Sequence, residues 1–184
     1  MAKARKDPVR VTVIGDNFML PEAFIASLNR LDGIDFEITQ GHQPWPDVDM
    51  THGYDPAGQG ETLDGAELAG LKEYFGTPED VIPLVENAEI LICHLPPITQ
   101  SVIGASPDLK LIGVSRGGPI NIDMAATRRR GIQVVNTPGR NAGAVAEFTI
   151  GMILSQTRLI TTGHTALSTT GDWSGHLYRA DTTG

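Results

Sequence analysis

Two stretches of the sequence place reactive or charged groups where a backbone can come close to a ligand. The first is Arg116-Gly117-Gly118, directly after the apolar run 109–114. Adjacent glycines let an oxyanion approach their N–H groups with no Cβ in the way. A guanidinium beside them adds a charge-assisted contact to a carboxylate or phosphate. The same arginine reads equally well as a solvated surface residue. The second stretch is residues 131–148, GIQVVNTPGRNAGAVAEF. Its segment 132–135 is short, apolar and β-branched, the pattern of a buried strand. Thr137-Pro138-Gly139 must end that strand, because proline donates nothing to a ladder and glycine frees the backbone. Asn141 then falls where a helix N-cap belongs, and helix-forming residues follow. Polar groups of Arg140 and Asn141 are thereby held at the carboxyl end of a strand, where open α/β sheets bind ligands.

The elements that must position these groups follow in order. Residues 9–14 read as a first strand, Gly15-Asp16-Asn17 as its turn, and a helix starts near Pro21 with Phe24, Ile25, Leu28 and Leu31 at helical spacing. Residues 36–39 are a second strand. Residues 67–75 and 78–87 read as helices, 89–95 as a central strand, and His94, Leu95, Pro96 and Pro97 as the loop at its end. Residues 109–114 form the next strand, and 124–130 a helix closed by Gly131 as C-cap glycine. Its basic end, Arg128-Arg129-Arg130, complements the helix dipole. Five strands alternating with helices give the fold class: α/β, a flavodoxin-like five-stranded parallel sheet with helices on both faces. That fold names no function. A two-component receiver would end its third strand in aspartate and carry a lysine after its fifth; here His94 stands at the first place and no lysine follows Val135. A flavin module would need a Ser/Thr/Gly phosphate cradle after the first strand, which this sequence lacks.

The motif Asn136, Pro138, Asn141, Val145, Ala146, Glu147 resembles the inter-domain crossing of the D-isomer-specific 2-hydroxyacid dehydrogenases, a phosphoglycerate dehydrogenase-like family. Upstream, LKLIGVSRGGPINIDMAATRRRGIQVVN (109–136) resembles the family's last substrate-domain strand, ligand loop and helix, and the likeness extends over residues 88–173. Where the family has a Gly-x-Asp-Asn turn, this chain has the shorter Arg116-Gly117-Gly118-Pro119-Ile120-Asn121, which implies a different substrate from those of the best-known members. The resemblance implies an oxidoreductase passing hydride between NAD (or NADP) and a small 2-hydroxy or 2-keto acid. It implies that Arg116, Gly117 and Gly118 receive the substrate carboxylate. It further implies that Asn141 lines the reacting centre, that Val145 presses on the nicotinamide, and that His94, Leu95 and Pro96 wall the other side of the cleft. The family's catalytic arginine, glutamate and histidine have no counterpart here, so no catalytic residue is assigned in this chain, and neither His42, His94 nor His164 takes the histidine's place.

Residues 144–160 are apolar around most of a helix circumference, more than one domain can bury. In the family this helix crosses to a nucleotide-binding domain, and residues 164–173, ending Gly171-Asp172-Trp173, resemble the short helix after it. No Gly-x-Gly-x-x-Gly occurs in the sequence, so the cofactor is expected to be bound mainly by a domain absent from this chain. The expected organisation is a basic tail (1–8), a substrate-binding domain (9–143) and the start of the crossing (144–184), which alone should be inactive. The alternative reading, from a different class, is a non-catalytic flavodoxin-like binding or interaction module.

Composition sets the outer bounds. The 184 residues are 40% hydrophobic and 20% charged, an ordinary globular composition. A net charge of −8 argues against a nucleic-acid surface. No window approaches the ~20 apolar residues of a membrane helix, so no membrane partner is expected. Nothing resembles a signal peptide, and one cysteine, Cys93, makes no internal disulfide, which points to the cytoplasm. Cys93 lies in an apolar run and reads as a core thiol. Residues 41–65 hold His42, His52, Asp47, Asp49 and Asp55, but with no ligand spacing template, so no metal is assigned. For the complete enzyme the family resemblance implies a homodimer.

Overall fold

The computed structural model describes residues 7–52, 67–68 and 70–171, and the chain divides into two compact units, Met1–Pro138 and Gly139–Gly184. In the first unit, β-branched runs form strands whose neighbours all run parallel. These are β1 (Val9–Asp16), β2 (Phe36–Gln43), β5 (Ile90–Cys93), β6 (Leu111–Val114) and β7 (Gln133–Asn136), in the order β2-β1-β5-β6-β7. This is the five-stranded flavodoxin-like order, and it places the reversal of strand order between β1 and β5. A second, two-stranded antiparallel pair joins β3 (Thr51–His52) to β4 (Glu73–Tyr74).

Period-two alternation divides the side chains between the two faces. Ile14, Leu91, Cys93, Ile112 and Val114 meet Val81, Val85, Val102, Ile103 and Ala126 from α2 (Pro78–Val85), α3 (Gln100–Ala105) and α4 (Met124–Arg129). On the other face Val11, Val13, Ile90 and Ile92 meet Phe24, Ile25 and Leu28 of α1 (Pro21–Leu28). Helices therefore lie on both faces, but unequally. Beyond α1 the second face opens into an apolar groove of about 420 Å³ that reaches Leu111, Gly113 and Val135.

Helix ends are specified locally. Asp123 caps α4 by accepting from the backbone N–H groups of Ala125 (2.9 Å) and Ala126 (2.8 Å). Gly131 takes a φ of 67° just past its end, as a C′ glycine should. Arg130 does more than complement its own helix. Its guanidinium donates to the carbonyls of Ile103, Ser106 and Pro107, at the carboxyl end of α3.

Several expected boundaries are corrected. The described residues 67–68 and 70–75 do not form the expected helix. Gly70 has a φ of 102°, Leu71 and Tyr74 turn inward, and Lys72 N–H and Phe75 N–H donate to Ile120 and Leu95 carbonyls, both at 2.9 Å. Tertiary backbone bonds replace local ones here, overriding propensity. β1 extends through Asp16 and β2 through Gln43, because Gly15 pairs with His42 and Gly41 with Ile14; a shared ladder holds residues of low strand propensity. The last two strands sit later than expected, at 111–114 and 133–136. α3 was not anticipated; Thr99 caps it by accepting from Val102 N–H, and Val102 and Ile103 bury its short face.

In the second unit the helix expected over 144–160 runs as α5 (Ala142–Thr157), and the short helix expected over 164–173 starts earlier, as α6 (Ile160–Thr170). Leu159, at φ 52°, adopts a left-handed conformation that breaks the ladder between them. Gly171 ends α6 with φ 69°. Residues 172–184 lie outside the described residues. α5 buries none of its residues, and Phe148 is 69% exposed.

Two expectations follow from these contacts. A Cβ on Gly15 would meet the Met19 carbonyl and lie 2.7 Å from Pro21 Cδ, so Gly15→Ala should destabilise by about 1–3 kcal/mol in urea unfolding. The exposed apolar α5 should make the chain bind a hydrophobic dye or self-associate. A monomeric, dye-silent chain whose α5 amides are fully protected from hydrogen exchange would contradict the latter.

Candidate functional site

At the carboxyl end of β1 the Asp16 side chain is fully buried. A carboxylate taken from water must be given donors, and three are supplied. Oδ1 accepts from the N–H groups of Phe18 (2.9 Å) and Met19 (2.7 Å), and Oδ2 from His94 Nδ1 at 2.5 Å. Burial pushes the Asp16 pKa up, but the bonds from His94, Met19 and Phe18 outweigh it and hold the group below its ordinary value. An ionised Asp16 makes His94 Nδ1 the donor. Phe18 stacks on the imidazole with centroids 6.1 Å apart, and Trp45 meets it edge-on at 5.6 Å. Asn17 fixes the Trp45 segment, donating its N–H to the Trp45 carbonyl (2.9 Å) and Nδ2 to Asp47 Oδ2 (2.5 Å).

His94, Leu95 and Pro96 are all buried, with His94 4% exposed. Their backbone is also committed. His94 N–H donates to Ile14 O, Leu95 O accepts from Phe75 N–H, and Pro96 O accepts from Asn121 Nδ2 at 2.8 Å. Asn121 Nδ2 is also 3.3 Å from His94 O, and its buried Oδ1 has no partner. Asn121 thus ties the loop after β6 to the loop after β5. It stood in the shortened glycine turn without being singled out as a site residue.

Arg116, Gly117 and Gly118 follow β6 at the same end of the sheet. The Arg116 guanidinium is paired with the Glu73 carboxylate, the side chains being 15% and 24% exposed. Arg116 is therefore not the solvated surface arginine that the sequence left open. Its carbonyl accepts from Thr137 N–H (2.9 Å), and the Gly117 carbonyl from Asn136 Nδ2 (2.8 Å). No acceptor for the N–H groups of Gly117 or Gly118 occurs among the described residues. A Cβ on Gly117 would meet nothing within 4 Å. The chain's own packing thus does not require glycine there, whereas close approach of an anion to two free amides would.

Asn141 and Val145 fall in the second unit. Asn141 occupies the N-cap position of α5 as expected, but its side chain makes no capping bond. Val145, in the first turn of α5, is 53% exposed. His164 is an exposed position of α6. Cys93 is a buried core thiol whose pKa burial pushes up to about 12. Among the described residues no three His, Cys, Asp or Glu side chains gather to hold a metal ion, and no helix is long and apolar enough to cross a membrane. His52 side-chain geometry and Asp55 lie outside the described residues.

Residues 62–177 match the sequence model of the D-isomer specific 2-hydroxyacid dehydrogenase, catalytic domain. The chain belongs to this family. Over 108 residues it is 42% identical to YoaD of Bacillus subtilis (strain 168), a protein named as a candidate 2-hydroxyacid dehydrogenase, covering 55% of this chain and 30% of that protein. Glyoxylate reductase of Thermofilum pendens is 36% identical over 103 residues, covering 55% and 30%. D-3-phosphoglycerate dehydrogenase of Sus scrofa is 34% identical over 114 residues, covering 61% and 21%. This dehydrogenase-family chain thus spans less than a third of the length of these relatives. Among solved structures, an acyclic imino acid reductase in complex with NADPH and D-Arg superposes with a TM-score of 0.57 at 20% identity, covering 90% of this chain and 42% of that one. NAD⁺-bound 3-phosphoglycerate dehydrogenase of Entamoeba histolytica gives 0.56 at 23%, covering 83% and 40%. Both likenesses establish the fold. Toward a dinucleotide, the sequence offers no Gly-x-Gly-x-x-Gly turn, and among the described residues Val145 is a single half-exposed aliphatic group.

Asp16→Asn should destabilise the chain by about 1–3 kcal/mol near neutral pH, because it mismatches a buried network. Since the folded Asp16 pKa is depressed, its contribution is present above the ordinary value of 3.8 and is lost as pH falls through the folded value. Equilibrium unfolding across that range should show the gap between wild type and Asp16→Asn closing on the acid side; a constant gap would contradict the assignment.

Proposed function

We propose that this chain is the substrate-binding half of an oxidoreductase that transfers hydride between NAD or NADP and a D-2-hydroxy acid or its 2-keto acid. The observation that carries the reading is the pair of unclaimed amides, Gly117 and Gly118, beside Arg116 at the carboxyl end of β6, in a chain that belongs to this family. Two backbone donors and an adjacent guanidinium suit a carboxylate. In the complete protein the nicotinamide supplies the redox chemistry. The residues of this chain bind and orient the acid. Gly117 and Gly118 take its carboxylate, and Asn141, whose side chain makes no capping bond, is assigned a role at the reacting carbon by the family resemblance. The buried 94–96 loop backs the opposite wall, and Val145 meets the nicotinamide. The dinucleotide itself is held mainly by a nucleotide-binding half outside this sequence. The exposed apolar surface of α5 is what a helix crossing into such a half would present, and the complete enzyme is a homodimer of the cytoplasm. No catalytic residue is assigned to this chain.

The reading is tested by titrating the isotopically labelled chain with pyruvate. The Gly117 and Gly118 amide resonances should move, while the same chain shows no turnover of NADH or NADPH with any of a panel of 2-keto acids. Turnover by this chain alone, or amides silent to every 2-keto acid, would overturn it.

A further inference from the structure

The geometry points to a substrate with one negative charge and an uncharged remainder, and to Glu73 as the residue that imposes this limit; the inference rests on the substrate-wall reading above. Arg116 is the cation of the Gly117-Gly118 loop, and it already has a partner. Glu73 takes its guanidinium in a contact where both side chains are mostly withdrawn from water. Low exposure strengthens such a pair and raises the cost of separating it.

Nor is Glu73 a mobile surface acid. It lies on β4, with Lys72 N–H bonded to Ile120 O on one side and Phe75 N–H bonded to Leu95 O on the other, both at 2.9 Å. Those carbonyls belong to the loops after β6 and β5. The carboxylate is thus strapped across the two loops that form the wall.

The consequence is electrostatic. One incoming carboxylate finds two free glycine amides and the donors of the Arg116 fork that Glu73 leaves over. A second anionic group on the same ligand, a distal carboxylate or a phosphate, gains no surplus positive charge from Arg116 and must approach the Glu73 carboxylate. Like charges brought together in an interface cost enough to exclude a ligand. The net charge of −8 disfavours a dianion further. The wall therefore admits small monocarboxylic 2-keto or 2-hydroxy acids and rejects dicarboxylic or phosphorylated ones.

The test compares pyruvate with 2-oxoglutarate, binding being followed at the Gly117 and Gly118 amides of the full chain. Wild type should bind pyruvate at least about tenfold more tightly. Glu73→Gln frees the guanidinium and removes the repulsion. It should tighten 2-oxoglutarate about tenfold more than it tightens pyruvate. Thermal unfolding of the variant checks that it is folded. Equal affinities in wild type overturn the inference without any variant, and so does a folded Glu73→Gln that keeps the wild-type ratio. If neither acid moves the amides, the substrate wall itself is refuted, and this inference with it. A preference for pyruvate that collapses in Glu73→Gln supports both.

Discussion

A dehydrated carboxylate organises the carboxyl end of this sheet. Asp16 cannot stay charged at full burial unless donors surround it, and each donor fixes a different part of the chain. The Phe18 and Met19 amides set the turn that leads into α1. His94 sets the end of β5 and receives Phe18 and Trp45 against its ring. From His94 the hydrogen bonds continue through its carbonyl to Asn121, and so into the loop that carries Gly117 and Gly118. Polar groups thus couple the carboxyl ends of three strands sideways, while apolar layers on either face support the sheet beneath them. Such networks are stiff when every member is satisfied, and among the described residues Asn121 Oδ1 and Gln43 Oε1 are left over.

The two ends of the sheet handle charge differently. At the amino end, Arg10 pairs with Asp108 at 2.7 Å, and Lys110 with Glu89 at 3.0 Å; Asp108 and the Lys110 side chain remain largely in solvent. Exposed pairs of this kind contribute little. At the carboxyl end, Arg116 and Glu73 meet with most of their surface covered, and Asp16 and His94 with nearly all of it. Charge placed in a low-dielectric setting discriminates between ligands as well as supporting the fold, which is why the same residue types mean different things at opposite ends of one strand layer.

Much of this was legible in the sequence, for reasons that also explain what was not. The five strands announce themselves as β-branched runs between turn residues, the parallel order follows from the intervening helices, and Gly131 marks a helix end by the only backbone conformation it needed to supply. Gly117 and Gly118 stood out because a glycine pair beside an arginine has few local explanations. The failures share a cause. Residues 67–75 look helical until Ile120 and Leu95 offer them backbone partners twenty or more residues away. The last strand turns of β1 and β2 are held by each other and not by propensity. Asp16 reads as a turn residue until His94, 78 positions on, is placed against it. Glu73 carries no sequence signal at all, because its meaning comes from Arg116, 43 positions on. α5 is apolar all round, as its sequence shows, yet the left-handed Leu159 between α5 and α6 has no glycine or proline to announce it.

The single cysteine gives the molecule an internal chemical clock. Cys93 sits in the central strand with no exposed surface, and burial raises its pKa to about 12, so thiolate-seeking reagents find neither access nor a nucleophile while β5 is in place. Alkylation then counts only excursions in which that strand leaves the sheet. Its rate, at saturating reagent, is the opening rate of the very strand from which His94 extends.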